Sequence, residues 1–419
     1  MKNKMNKNTP KNGKQSLLNF LLNKKHKICL KSNNTDIENN ETPNNRLKNI
    51  ELSKNNIHPN FSTVTTRQIS NPNFINRELL CITNLYNCEK SSIFYLFDDE
   101  SYKYKPYLFF PSKNNNHIKI ISLEKIKLIT DNIIQNSSNT TLENDDCTII
   151  SIKNFFLSNR NYIFITGRKK QHLNNIHDII KIYEIISLNN IRKVNEIIIK
   201  NFVTALLLIG ELFFVAFFSK ESKLSKEANN ELYCYSMNHF DKIVKINMKN
   251  IQINKLLQLK QKYIILLTNN SIIIYDITIL YKKSLQIKTD YNCINGSVIE
   301  GDEKSYLCIA NKKAIIIYKL MDKNICFVIQ NDFDYENRNF GAVISWGINY
   351  ILFTNSSENK LKVFDLKNKN VISSYSILPK SSFYIVRNEE GIDWLLMFNS
   401  ENSLFLWESM GNMECKLSK

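Results

Sequence analysis

Residues 263–287 read YIILLTNNSIIIYDITILYKKSLQI and form the plainest unit in the chain. The apolar run YIILL is followed by the polar stretch TNNS, by a second apolar run, IIIYDI, and, after a short link, by a third run. Short runs of β-branched and aromatic residues joined by Asn and Ser predict antiparallel strands connected by tight turns. We expect the chain after about residue 78 to consist of variations on this unit.

The phrase IIIYDI has six relatives. They share the pattern apolar, variable, apolar, bulky, variable, apolar, with small departures. The seven copies are IKIISL (118–123), IKIYEI (180–185), LYCYSM (232–237), IIIYDI (272–277), IIIYKL (315–320), LKVFDL (361–366) and LFLWES (404–409). They start 62, 52, 40, 43, 46 and 43 residues apart. A period near 40–45 built from strands is typical of a β-propeller.

Each phrase stands inside a group of four runs. The run before it usually begins with Tyr, as at Tyr162, Tyr263, Tyr306 and Tyr350. A more apolar or small-residue run usually precedes these two, and a fourth follows them. Four strands repeated seven times predict an all-β chain, a seven-bladed β-propeller of four-stranded blades over residues 77–419.

Two polar stretches lengthen the early spacings: GRKKQHLNNIHD (167–178) and SKESKLSKEANNE (219–231). We expect both to be insertions within hairpins that project from the rim, where loops commonly carry function. The first contains Arg168, Lys169 and Lys170, a basic candidate for partner binding or for contact with phosphate backbones.

Ring closure has two candidates. Residues 414–418 could finish blade seven, or residues 79–83 could supply its outer strand. Residues 77–130 hold one apolar run more than a blade needs, which favours 79–83 as the closing strand.

The repeated phrase resembles the third strand of the WD-repeat family, in which an aliphatic strand ends in Trp and Asp. The resemblance covers about residues 80–419. The aromatic position holds Tyr183, Tyr235, Tyr275, Tyr318, Phe364 and Trp407, but Ile121 in the first copy. The following Asp occurs only at Asp276 and Asp365, and no Gly-His pair occurs. The family's Trp-His-Asp hydrogen-bond relay is therefore incomplete, and apolar stacking between blades must supply most of the stability.

The resemblance implies a rigid platform that holds peptides or proteins, usually without catalysis. Some family members are substrate receptors of ubiquitin ligases and carry Trp-Asp-x-Arg at this strand. The nearest match here is FDLK at 364–367, with both end residues changed.

Residues 1–76 are predicted to be a disordered Asn- and Lys-rich tail, because they are too polar to offset chain entropy. One apolar island, KQSLLNFLLNKK at 14–25, interrupts it. On a helix Leu17, Leu18, Leu21 and Leu22 share a face with Phe20 to one side, so the island could dock in an apolar groove. It also resembles the peptides that bind the sliding clamp of DNA replication, although neither of two possible alignments matches all of their characteristic positions. An organelle presequence, a weak nuclear-import cluster at 23–27 and a plain disordered segment remain alternatives.

The charge of the chain is uneven. The formal net charge is +17; residues 1–78 hold 14 Lys and Arg against 5 Asp and Glu, giving 14 − 5 = +9. Nucleic acid is therefore a possible partner through the tail, although Lys and Asn are abundant along the whole chain. The nine cysteines show no close pairing, which favours a reducing, intracellular compartment, nuclear or cytoplasmic. No apolar run reaches the roughly 18 residues that span a bilayer.

Catalytic and cofactor signatures are absent from the sequence. Neither GxxxxGK[ST] nor GxGxxG occurs among the nine glycines. His172 and His177 lie in a polar stretch without clustered partners, so no metal site is expected. We expect no enzyme activity and no cofactor. The sequence predicts a non-catalytic adaptor for protein partners, a single ring within a larger complex; the alternative is a chromatin- or RNA-associated propeller tethered by its basic tail.

Overall fold

The computed structural model describes the repeated part of the chain. The described residues are 69, 72, 74–82, 90–98, 103–112, 117–123, 142–143, 147–158, 160–170, 176–188, 190–199, 201–219, 229–249, 251–279, 283–289, 291–293, 295–301, 305–311, 313–320, 324–330, 343–379, 381–387, 392–398 and 404–409. The predicted tail island at 14–25 lies outside them.

The described residues form 28 strands in seven four-stranded sheets. The strand β1 (Phe74–Ile82) comes first in the chain. Blade 1 contains β2 (Ser92–Asp98), β3 (Lys103–Pro111), β4 (His117–Ser122) and β5 (Leu142–Glu143). Blade 2 contains β6 (Thr148–Leu157), β7 (Arg160–Lys170), β8 (Ile176–Ser187) and β9 (Asn190–Ile199). Blade 3 contains β10 (Phe202–Ile209), β11 (Leu212–Ser219), β12 (Asn229–Ser236) and β13 (Lys242–Lys249).

The remaining blades follow the same order. Blade 4 contains β14 (Ile253–Leu259), β15 (Tyr263–Thr268), β16 (Ser271–Asp276) and β17 (Lys283–Lys288), with a 3₁₀ turn at Ile277–Ile279. Blade 5 contains β18 (Asn295–Glu300), β19 (Ser305–Ala310), β20 (Ala314–Lys319) and β21 (Asn324–Gln330). Blade 6 contains β22 (Val343–Trp346), β23 (Tyr350–Asn355), β24 (Lys360–Asp365) and β25 (Asn370–Ser376). Blade 7 contains β26 (Ser382–Arg387), β27 (Asp393–Phe398) and β28 (Leu404–Ser409).

The prediction of a seven-bladed β-propeller is confirmed. Each blade is an antiparallel meander, and the first strands of neighbouring blades lie beside one another, for example β10 with β14 and β14 with β18. First strands therefore form the inner wall of the ring, and fourth strands form its rim. No described helix is long and apolar enough to cross a membrane.

The stretch at 263–287 folds as its pattern predicts. β15 and β16 form a hairpin whose turn is fixed by the Thr268 hydroxyl, which donates to the Ser271 carbonyl at 2.7 Å and accepts from the Ser271 amide at 2.9 Å. The Thr268 carbonyl also accepts the Cys293 amide at 3.1 Å, on the way into blade 5. The turn thus satisfies its own polar groups and ties one blade to the next.

Seven apolar clusters hold the ring together, one between each pair of neighbouring blades. The bulky fourth position of each repeated phrase belongs to a different cluster. In chain order these side chains are Ile121, Tyr183, Tyr235, Tyr275, Tyr318, Phe364 and Trp407, and all are buried. The repeated phrase therefore marks the residues that pack the inter-blade interfaces, which agrees with the expectation that apolar stacking supplies most of the stability.

The ring closes through its N-terminal strand. β1 pairs antiparallel with β28 and becomes the outer strand of blade 7. The prediction that residues 79–83 supply this strand is confirmed in its essentials; the strand begins earlier, at Phe74. Phe74 stacks on Trp346 at 4.5 Å between ring centroids, and its amide donates to the Tyr375 hydroxyl at 2.9 Å.

The apolar stretch at 202–218 forms two strands, β10 and β11. Gly210 sits in the turn between them with φ +56°, a left-handed conformation that side chains rarely adopt. The predicted insertion at 167–178 is shorter than expected, because β7 continues to Lys170 and β8 begins at Ile176. The insertion at 219–231 likewise loses its ends to β11 and β12.

Candidate interaction surfaces and the central channel

The predicted site residues fall into two groups. Leu17, Leu18, Phe20 and Leu21 lie outside the described residues. Arg168, Lys169 and Lys170 end strand β7, opposite Asp178, His177 and Ile176 of β8. The prediction that they form a rim loop is wrong, since the hairpin ladder extends through all three.

Arg168 is engaged within the ring. Its Nε donates to Asp178 Oδ1 at 2.9 Å and a terminal nitrogen donates to Oδ2 at 3.2 Å, which is a bidentate pair. The Asp178 side chain is fully buried, and its Oδ2 also accepts the Val203 amide of blade 3 at 2.8 Å. The guanidinium lies over the Phe202 ring at 4.5 Å. Arg168 therefore joins blades 2 and 3, and its guanidinium is engaged within the ring.

Polar contacts link several inner strands. Ser92 of blade 1 donates to Asn154 Oδ1 of blade 2 at 2.9 Å, and Ser297 of blade 5 lies 2.9 Å from the Ser345 hydroxyl of blade 6. The corresponding backbone amides, those of Asn154 and Ser345, donate back to the two serine hydroxyls. The inner wall is therefore partly hydrophilic, in contrast to the apolar clusters between the blades.

Lys255 projects from the inner strand of blade 4 towards blade 5. Its Nζ donates to Asn295 Oδ1 at 2.5 Å and to the Gly296 carbonyl at 2.9 Å. Burial, together with the smaller effect of the Lys153 charge, lowers the pKa of Lys255 to about 7. The charge of Lys153 therefore acts on Lys255, although the two lysines belong to blades 2 and 4.

Lys153 occupies the middle of β6, the inner strand of blade 2. Its side chain is exposed, yet burial lowers its pKa. Both observations are explained by a side chain that lies in the central channel, where water contacts it although protein surrounds it on all sides. Among the described residues Lys153 has no hydrogen-bond or ion-pair partner. It is an enclosed cation without a counter-charge in the part of the chain that the structure describes.

Close packing at Gly296 supports this part of the wall. A Cβ at this position would lie 2.7 Å from the Cys308 carbonyl oxygen and 2.9 Å from Leu267 Cδ1. We expect Gly296→Ala to lower the free energy of unfolding by about 1–3 kcal/mol, because the Cys308 carbonyl is part of the backbone and cannot easily move away from the added methyl group. Urea unfolding followed by tryptophan fluorescence measures the loss. Gly210→Ala, where no atom lies within 4 Å but φ is positive, separates crowding from backbone strain. An unchanged midpoint for Gly296→Ala would contradict the packing argument.

The outer strands of blades 5 and 6 carry exposed apolar side chains. Ile325 is 54% exposed and Val328 45% on β21; Val371 is 42% and Ile372 37% on β25. Both strands are the last in their sheets, so each presents an open edge. We call these four residues the blade 5–6 rim. Blade 2 has a similar feature at Ile198.

The metal-ligating residues and the cysteines of the described part of the chain are as follows. No group of three or more His, Cys, Asp or Glu residues there could hold a metal ion. Burial raises the pKa of Cys234 to about 12 and that of Cys293 to about 11, so both thiols stay protonated near neutral pH. These cysteines behave as buried apolar side chains.

Sequence reasoning missed both channel lysines. The sequence does place a lysine inside the first apolar run of blades 2 and 4, where most other residues are apolar or small. In a chain with 56 Lys and Arg that signal is weak, and it becomes informative only once the strand is known to be innermost.

The sequence matches no known family model and no curated protein. The seven-bladed ring is consistent with a WD-repeat-like fold, and membership of the WD-repeat family stays a prediction.

Proposed function

We propose that this protein is a non-catalytic scaffold that holds protein partners in a multi-subunit complex. Propeller rings commonly serve as protein-interaction platforms. The observation that carries the proposal is the blade 5–6 rim, where two neighbouring open edge strands expose Ile325, Val328, Val371 and Ile372. Exposed apolar groups on an unpaired edge favour a partner segment that adds as a further strand.

The chemistry of the rim defines the expected partner. The free backbone groups of an edge strand supply hydrogen bonds to an extended segment, and the exposed side chains supply apolar contacts. We therefore expect a partner that presents an extended segment with apolar residues at alternate positions. Seven apolar interfaces make the ring rigid, so binding at the rim costs little reorganisation.

Charge substitutions test this proposal. We expect the double variant Ile325→Glu and Val371→Glu to lose partners that copurify with the intact protein, with affinity reduced by about tenfold or more, since each carboxylate would be desolvated in the interface. Affinity purification with mass spectrometry identifies the partners, and titration with the purified partner measures the change.

The matched control places the same charges at polar positions. Asn190→Glu and Gln286→Glu lie at exposed sites on β9 and β17, the outer strands of blades 2 and 4, and should leave binding unchanged. The proposal fails if the first double variant keeps every partner of the intact protein, or if no protein copurifies with the intact chain.

A second candidate, association with chromatin or RNA, is favoured by the charge of +9 over residues 1–78, from 14 Lys and Arg against 5 Asp and Glu. Its test is a truncation. Ile69 and Phe74 pack in the cluster between blades 6 and 7, so the truncation should remove residues 1–68 and not 1–76. Loss of salt-sensitive nucleic-acid binding in that variant, with protein partners retained, would support the second candidate.

A further inference from the structure

Among the described residues, the centre of the ring holds two lysines with no opposing carboxylate. Lys153 and Lys255 lie on the inner strands of blades 2 and 4. The described inner strands carry acidic residues only at their ends, Asp98 of β2 and Glu300 of β18. Like charges enclosed together raise the free energy of the folded protein unless an anion joins them. The arrangement therefore lacks a counter-charge in the part of the chain that the structure describes.

Strand register gives the separation of the two lysines along the channel. Lys153 pairs with Phe164, which lies two residues after Tyr162, and Lys255 pairs with Leu267, which lies four residues after Tyr263. Tyr162 and Tyr263 occupy the same position in their blades, so the two lysines stand two levels apart, about 7 Å along the strand direction. That separation along the strands is within the span of a compact ligand with more than one anionic group.

The donors around these levels suit phosphate oxygens. Lys255 uses two of its three N–H groups on Asn295 Oδ1 and the Gly296 carbonyl, which leaves one. Lys153 keeps all of its donors within the described structure. An ammonium group is a common phosphate ligand and acts there as a point charge. A single carboxylate would neutralise only one of the two cations, whereas a diphosphate carries charge for both.

We propose that the central channel binds a small di- or polyphosphate through Lys153 and Lys255. The ligand bridges the two ammonium groups between blades 2 and 4, and the hydroxyl-lined inner wall keeps it hydrated. The site is independent of the blade 5–6 rim, so it can operate whether or not the rim holds a protein partner.

Protonation of Lys255 provides a specific signature of binding. With a pKa of about 7, Lys255 is only partly charged at neutral pH, and a bound anion favours the charged form. Binding should therefore take up a proton near pH 7 and weaken as pH rises above 7. The strands packed against β14 hold few titratable groups: β10 and β11 have none, β15 begins with Tyr263, and β18 ends with Glu300. The Glu300 carboxylate accepts the Lys260 amide at the far end of the channel wall, so Lys153 and Lys255 dominate the response.

The test is calorimetric titration of the full-length protein with inorganic pyrophosphate at pH 7, in two buffers of different ionisation heat. We expect the intact protein to bind pyrophosphate and to take up more protons on binding than Lys255→Met does, because proton exchange by pyrophosphate itself is common to both. Lys153→Met and Lys255→Met should each weaken binding by about tenfold or more, the loss of one charge-assisted contact. Lys193→Met, which removes one charge from the exposed strand β9, should change neither the affinity nor the proton uptake.

The outcomes separate this site from general attraction to a basic protein. An equal loss of affinity in Lys193→Met, or no binding of pyrophosphate at millimolar concentration, would overturn the proposal. So would tighter binding of a glutamate-rich peptide than of pyrophosphate. Lysine to methionine keeps the length of the side chain, and thermal unfolding of each variant verifies that the ring is intact. If Lys255→Met fails to fold, the affinity of Lys153→Met for pyrophosphate is the deciding measurement, since the Lys153 side chain is exposed.

Discussion

Removal of residues 1–82 is expected to open the ring and to leave a protein that aggregates, whereas removal of residues 1–68 should leave the ring closed. The first truncation deletes β1, which supplies the outer strand of blade 7 and pairs with β28. The second keeps Ile69 and Phe74, which pack in the cluster between blades 6 and 7.

The size of this effect follows from what β1 covers. Phe74 is 4% exposed and stacks on Trp346, and deleting a buried Phe side chain alone costs about 3–5 kcal/mol. Total stabilities of proteins are about 5–15 kcal/mol. Deletion of β1 also turns β28, with its buried Leu404, Leu406 and Trp407, into an unpaired apolar edge. Such an edge is a template for pairing between molecules.

Three preparations measure the contribution of the closing strand. Thermal unfolding and size-exclusion chromatography compare the intact chain, the protein without residues 1–68 and the protein without residues 1–82. Adding a synthetic peptide of residues 69–82 to the last should restore a monomer, because the strand pairs in an antiparallel register that needs no covalent link. A monomeric ring with an unchanged melting temperature after removal of residues 1–82 would show that closure does not depend on β1. Phe74→Ala isolates the aromatic contact.

The sequence predicts the fold well because the spacing of the repeated phrases and the alternation of apolar and polar residues depend directly on which side chains are packed in the core. The residue at the fourth position of each phrase is bulky because it fills a gap between two blades, and this requirement recurs at every interface, from Tyr183 to Trp407. Closure by the N-terminal strand is predictable for a related reason. Residues near position 80 form one apolar run more than blade 1 requires, and such a run must pair with another sheet to be buried. Both inferences depend only on which faces are apolar.

The candidate sites are less predictable, because they depend on which polar side chains meet across blades. Arg168 reads as part of a basic loop, but its partner Asp178 becomes its neighbour only through the hairpin register. Lys153 and Lys255 are about a hundred residues apart and belong to blades that are not adjacent. No local pattern encodes that proximity. The tail island at 14–25 stays a prediction.

Asp178→Ala is expected to lower the free energy of unfolding by about 3 kcal/mol, the second large effect. The substitution leaves the Arg168 guanidinium without its bidentate partner and the Val203 amide without its acceptor. Breaking one side of a buried pair costs about 3–5 kcal/mol; the lower end applies because the Arg168 side chain is 36% exposed. The measurement is urea unfolding, with the midpoint and slope compared between variants.

A double-mutant cycle separates the ion pair from the link between blades. We expect Arg168→Met to be nearly as costly as Asp178→Leu, because each single change leaves one charge unpaired. The combined variant removes both charges and should recover most of the loss, except for about 1–3 kcal/mol from the unsatisfied Val203 amide. Asp178→Asn retains a side-chain oxygen that can accept the Val203 amide. Its loss of stability should therefore lie between that of Asp178→Leu and that of the combined variant. If the two single losses instead add in the double variant, Arg168 and Asp178 act independently, and Arg168 becomes available again as part of the basic cluster with Lys169 and Lys170.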